Sequence, residues 1–160
     1  MKNILLVAAF AIYGLGTVNA QGFSYGVNIG FPVGDAKAMS SFSYGLDVLY
    51  MFNADEDFTY GVTTGYQNYV GKTITFLGID LAVPDANFIP LAFAGRYAVS
   101  DQFSLGADVG YGISDNGGFY YRPMVVYSLS DVMKINASYS GLSVSGGTVS
   151  NVGVGLMYAF

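Results

Sequence analysis

From residue 22 onward, large apolar side chains alternate with small or polar ones at a period of two, the spacing of a strand whose two faces meet different surroundings. The last ten residues show it plainly: Val152, Val154, Leu156, Tyr158 and Phe160 share one face, and Asn151, Gly153, Gly155, Met157 and Ala159 the other. The same alternation predicts strands at 22–31, 41–52, 58–67, 87–99, 103–113, 119–129, 132–142 and 151–160, eight in all. In the first, Phe23, Tyr25, Val27, Ile29 and Phe31 oppose Ser24, Gly26, Asn28 and Gly30, with Pro32 and Gly34-Asp35 ending the run.

The connections alternate in length. Those at 53–57, 100–102 and 130–131 are short, whereas 32–40, 68–86, 114–118 and 143–148 are generally longer. Segment 68–86 includes Ile74, Phe76, Leu77, Ile79, Leu81 and Val83, and its alternation changes phase between Phe76 and Leu77. It cannot extend the third strand flat, and it reads as a long loop with room for its own projecting hairpin. An even strand count puts both termini on one side, with short turns there and long loops opposite, as in single-chain outer-membrane barrels.

Composition decides which face is outside. The chain has 160 residues, 52% hydrophobic and 11% charged, with 14 Tyr and 12 Phe, too apolar for an ordinary soluble domain of this size. Beyond residue 20 no apolar run approaches the roughly 18 residues of a helical span, whereas strands of about ten suit a tilted crossing. A soluble lipocalin-like binding barrel would turn the aromatics into a lumen barely wide enough for ordinary side chains. It would also expose a surface poor in Lys and Glu. The reading is therefore all-β: an eight-stranded antiparallel up-and-down transmembrane β-barrel with its oily face outward.

The charges sort accordingly. Asp47, Arg96, Asp108, Arg122 and Lys134 are the charged residues within predicted strands, and all five fall on the face opposite the apolar one. Aromatics cluster at strand ends, Phe23, Phe52, Phe58, Phe103 and Phe160 at one level and Phe31, Tyr66, Tyr111 and Phe119 at the other, as interfacial girdles do. Pro90 and Pro123 are expected at the rim, where water replaces the missing N–H bond.

Residues 1–20 read as a cleaved export signal, with Lys2, an apolar core at 4–13 and Val18-Asn19-Ala20 as the cleavage site, so the barrel domain is 21–160. No Cys means no lipid attachment after the signal and no disulfides. The net charge of −5, more acidic still without Lys2, disfavours nucleic acid.

Candidate chemistry is confined to the lumen. Pairing 97 with 105 in the fourth hairpin sets Arg96 opposite Gly106, one diagonal step from Asp108. Pairing Ile113 with Phe119 sets Arg122 opposite Gly110, again diagonal to Asp108. Asp108 then lies between two arginines, in an internal ion-pair network of Asp47, Arg96, Asp108, Arg122 and Lys134 that plugs the lumen or, in the alternative, in the constriction of a narrow channel for ions or small apolar molecules. With no His, and no base for its Ser or Thr hydroxyls, the chain offers no catalytic residues. Asp55-Glu56-Asp57 lacks calcium-loop spacing and reads as a solvated turn, so no metal or cofactor is expected.

The closing strand, with Tyr158 and a carboxy-terminal Phe160, resembles that of bacterial outer-membrane barrels, whose terminal aromatic serves as the assembly signal. Residues 87–111 resemble the Ile-Pro-Leu strand, basic-Tyr end and Gly-rich return strand of the outer-membrane β-barrel domain family frequent in Bacteroidota. The matching positions are Ile89, Pro90, Leu91, Arg96, Tyr97, Gly106 and Gly110, with Phe88 where that family often has an acid. The resemblance implies an eight-stranded barrel, usually without a known activity, inserted by the outer-membrane assembly machinery with periplasmic chaperones. The expectation is a monomeric, porin-like, non-enzymatic protein of the Gram-negative outer membrane, surrounded by its lipid and lipopolysaccharide. It acts structurally or in surface interaction through its extracellular loops.

Overall fold

The computed structural model describes residues 22–52, 57–76 and 79–159. The expected export signal, most of the acidic turn including Asp55 and Glu56, Leu77 and Phe160 lie outside the described residues.

Ten strands and one helical turn follow in order: β1 (Phe23–Val33), α1 (Ala36–Met39), β2 (Ser40–Met51), β3 (Phe58–Gly71), β4 (Thr73–Phe76), β5 (Ile79–Ala82), β6 (Ala86–Ala98), β7 (Phe103–Ile113), β8 (Gly118–Ser128), β9 (Met133–Val144) and β10 (Gly147–Ala159). Eight of them close a barrel in the order β1-β10-β9-β8-β7-β6-β3-β2, and β4-β5 form a separate two-stranded hairpin in the loop that joins β3 to β6. Every neighbouring pair in the barrel is antiparallel. Following paired residues once around the sheet returns to β1 about ten residues along the strand, a stagger that tilts eight strands by roughly 40°.

The oily face is outside. Val27, Ile29, Leu46, Leu91, Leu105, Val109, Val125, Ile135, Val154 and Leu156 are all exposed, and Phe93, near the middle of β6, is 77% exposed. Asp47, Asp108 and Arg122 are buried, as are Gln67, Asn136 and Asn151. A surface of this kind is stable only in hydrocarbon, and closure leaves the sheet no unpaired edge there. Ring contacts mark both girdles. Near the termini Tyr25–Tyr158, Tyr50–Phe52, Phe52–Tyr60 and Phe103–Tyr127 lie 5.7, 5.4, 5.7 and 4.8 Å apart. At the other end Phe42–Tyr44, Phe119–Tyr121 and Tyr121–Tyr139 are each at 6.1 Å.

Four expectations need correction. Pro32 does not end β1: the strand reaches Val33 along β10, while its pairing with β2 stops at Gly30↔Ser43, so the absent N–H costs no bond to β2. The last outer connection is not 143–148 but the two residues Ser145 and Gly146, because Val144 pairs with Gly147 across a turn in which Gly146 takes φ 101°. Length alternation therefore fails at that hairpin. The β7–β8 register is displaced by two residues, with Gly112 opposite Gly118 and hence Asp108 directly opposite Arg122. A shift of two preserves the faces, and the turn closed by Gly117 N–H donating to Ser114 O at 3.1 Å accounts for it.

Pro123 is the fourth. It sits at the centre of β8, opposite Ala107, not at the rim. The β8–β9 ladder skips from Tyr121↔Gly141 to Met124↔Ser138 around it, while the β7–β8 ladder runs through unbroken. Pro90 interrupts the β3–β6 ladder in the same way, between Thr64↔Leu91 and Gln67↔Phe88. Each proline gives up pairing on one side only.

Phe93→Arg is expected to lower the stability of the vesicle-embedded barrel by about 2–4 kcal/mol in urea titrations. A variant as stable as its parent would show that Phe93 does not face lipid.

Candidate functional site

Alternation sends Asp47 of β2, Arg96 of β6, Asp108 of β7 and Arg122 of β8 inward, and the register brings them to a common level. The Arg122 guanidinium donates through Nε to Asp108 Oδ2 at 2.9 Å. Its Nη1 donates to both Asp47 oxygens, at 2.9 and 3.0 Å, and its Nη2 lies 2.9 Å from Asp108 Oδ2. On the far side of Asp108, Arg96 Nη1 approaches Oδ1 at 2.7 Å while donating to Gly95 O and, at 3.3 Å, to Ala107 O. That Asp108–Arg96 contact is an ion pair without an aligned hydrogen bond, since Oδ1 has no geometric donor. Asn28 of β1, which the sequence pattern did not single out, donates to Asp47 Oδ2 at 2.8 Å.

In the closed order β2 lies diametrically across from β8. The Asp47–Arg122 bridge therefore spans the lumen, and the network forms a bar from β6 through β7 and β8 to β2 and β1. Two arginines and two aspartates make it neutral. Guanidinium suits this position because its planar fork reaches two carboxylates without losing charge.

Glycine makes the room. Arg96 is paired with Gly106, where a Cβ would stand 2.6 Å from Arg96 Cδ and 2.9 Å from Met124 Cγ. Gly155 stands opposite Asn136, whose Nδ2 would be 2.7 Å from an added Cβ, and Gly26 opposite Met157 at 3.0 Å. Setting Gly against a long side chain on the next strand lets that side chain lie across the narrow lumen.

The bar separates two unlike regions. Toward the hairpin end, Tyr69, Phe88, Ala92, Tyr120 and Leu142 pack together with Val144 and Val149, the Tyr69–Phe88 and Phe88–Tyr120 rings 6.2 and 5.7 Å apart. Phe88, the departure from the family motif, belongs to this plug. Tyr69 was hidden from the alternation because β3 runs past its expected end at 67 to Gly71. Toward the termini lies a cavity of about 490 Å³ lined in part by Arg96, Lys134, Leu49, Met51 and Met157. Lys134 is set apart from the network it was expected to join: it sits one layer below the bar, paired with Ser128 and Met157, with Asn136 above it. Among the described residues no carboxylate is within ion-pair distance of it. Tyr158 is exposed at the same end, paired with Tyr25 and Met133.

A scan against family models and a search of curated proteins gave no match. Among solved structures the chain is similar to the crystal structure of Ail, the attachment invasion locus protein of Yersinia pestis. The two are 15% identical over 87% of this chain and 97% of that one, with a TM-score of 0.59. Ail in phospholipid bilayer nanodiscs gives 17% identity, 87% and 99% coverage and a TM-score of 0.55. A de novo designed transmembrane β-barrel gives 11%, 89% and 98%, and 0.54. At these identities the likeness shows the fold alone.

Replacing Arg122 by Met strands Asp47 without a counter-charge, at a cost of about 3–5 kcal/mol. The double variant Asp47→Asn/Arg122→Met, which leaves the neutral Arg96–Asp108 pair, is expected to be more stable than the single one in the same urea titration. Equal stability would count against charge balance as the reason for the bar.

Proposed function

We propose that the protein is a monomeric, non-enzymatic barrel of the Gram-negative outer membrane, sealed across its middle and acting structurally and in surface interaction through its outer loops. The observation that supports this is the pairing of a bridged lumen with an elaborated outer end: Arg122 reaches Asp47 on the opposite wall, and an aromatic cluster stands above it in a barrel narrow enough for side chains to fill.

Outside the plug, two loops are tied into one unit. Lys72 N–H donates to Met39 O and Lys72 Nζ to Lys37 O, joining the base of the β4-β5 hairpin to α1. Asp85 accepts from the Gly71 N–H at 2.9 Å, and Thr75 Oγ1 donates to Asp80 Oδ1 at 2.7 Å. Met39, Ile74 and Leu81 are exposed on this unit, apolar contacts available to another surface. The attachment for which Ail is named supports the same role. The likeness of 87–111 to the family frequent in Bacteroidota supports membership there, and with it insertion by the outer-membrane machinery after passage with periplasmic chaperones, into a leaflet of lipid and lipopolysaccharide. The termini then face the periplasm.

In planar bilayers the refolded protein is expected to show no steady conductance, and a stable open level would overturn the seal. Replacing 73–82 by a short turn is expected to leave heat-modifiable gel mobility intact and to reduce severalfold the attachment of cells displaying the barrel. Undiminished attachment would remove the hairpin from the role.

A further inference from the structure

The cavity at the termini end is not used by the sealed-barrel reading. Of the ion-paired bar, Arg96 lines it, and its volume of about 490 Å³ falls in the range of small-molecule sites, roughly 300–1,000 Å³. Its lining is mixed. Arg96, Ser104 and Lys134 stand on the arc from β6 to β9, while Met157 on β10 and Leu49 and Met51 on β2 supply an apolar side, packed together with Ala94.

Charge bookkeeping within the lumen singles out Lys134. The bar consumes its own charges, Arg96 and Arg122 against Asp47 and Asp108, so it offers Lys134 no counter-ion. Asp57 and Asp101 line the cavity at its mouth, outside ion-pair distance of Lys134. An ammonium group in a partly enclosed lumen with no carboxylate among the described residues in ion-pair reach is a costly arrangement that a bound anion relieves. Arg96 meets its partners through Nη1, which leaves its other guanidinium nitrogens as further donors beside the cavity.

We propose that this vestibule binds a single-chain amphiphile with a carboxylate head, the head on Lys134 with Arg96 and Ser104 beside it, the chain against Leu49, Met51 and Met157. A carboxylate fits better than a phosphate monoester because one unmatched lysine balances one negative charge, and the monoester carries about −1.5 to −2 at neutral pH. The bar limits the depth available, so a short chain is the natural occupant. Because the vestibule opens at the termini end, the site is reached from the opposite side to the outer loops, and its occupancy is independent of the attachment role.

Methionine methyls test this in the intact mature barrel, labelled with ¹³C in phosphatidylcholine nanodiscs and titrated with sodium decanoate. Met51 and Met157 line the cavity, Met133 is exposed on the lipid face, and Met39 is exposed at the outer end. The expected result is saturable shifts at Met51 and Met157 with Met39 unmoved, an apparent Kd raised about tenfold by Lys134→Gln, the loss of one charge-assisted contact, and restored by Lys134→Arg. Decanol at equal concentration is expected to leave Met51 and Met157 in place. Shifts that grow linearly together with Met133 would mean partitioning into the bilayer and overturn the proposal, as would decanol acting like decanoate. If Lys134→Gln does not fold, the comparison of decanoate with decanol on the unaltered protein decides the matter.

Discussion

Eight strands enclose about one layer of side chains, and that limit on lumen volume governs the rest of the molecule. Large rings have no room inside, so Tyr and Phe stand outward on most strands and form the girdles. Those inside are few and clustered, as Tyr69, Phe88 and Tyr120 are. Several long inward side chains have an empty place beside them, as Arg96, Met157 and Asn136 have at Gly106, Gly26 and Gly155. These inward glycines follow from the same geometry as the aromatics. A soluble barrel of equal strand number would need the reverse arrangement, and these side chains would not fit it.

The same narrowness sets the electrostatics. A charge in the middle of the lumen has low-dielectric walls on all sides, so it is tolerated only with a partner within hydrogen-bond reach. Asp108, wholly buried, has two arginines. Such an arrangement contributes little net stability compared with apolar packing, because desolvation offsets most of the attraction. Its consequence is geometric. Joining β2 to β8 across the barrel and β6 to β8 through Asp108 fixes strands that are not neighbours in the sheet, and a register slip of one residue on any of them would turn a charge into lipid.

Much of this was legible in the chain. Alternation identified the eight barrel strands and their faces, since a period of two survives uncertainty in where a strand ends. Hairpin pairing of β6 with β7 followed from the tight turn at 100–102. What failed were features that depend on turn geometry or on one side of a ladder. Ser143, Gly146, Gly147 and Thr148 have loop composition, yet all but Gly146 are paired strand residues. The β7–β8 register turned on whether Gly118 belonged to the loop or the strand. Pro123 looked incompatible with a strand centre because proline is usually judged against both neighbours, although it lacks a bond to only one. Asn28 was missed and Lys134 placed at the wrong level for a different reason: which inward residues share a level depends on the stagger around the whole barrel, and no single hairpin contains that information.

The two ends of the lumen differ because the bar divides them. Above it, apolar side chains exclude water, and the chain spends its longest connection on a hairpin strapped to a neighbouring loop. Below it, the wall carries a lysine, an arginine, two aspartates and hydroxyls around open volume. If the lumen were a conduit, its lining would serve one permeant along its length, and a change from aromatic plug to polar vestibule across a neutral ion-paired bar would suit no single permeant. A seal removes that requirement. Under the proposed function each end is then free to match its own surroundings, the outer one exposing Met39, Ile74 and Leu81, the inner one setting Lys134 beside the cavity.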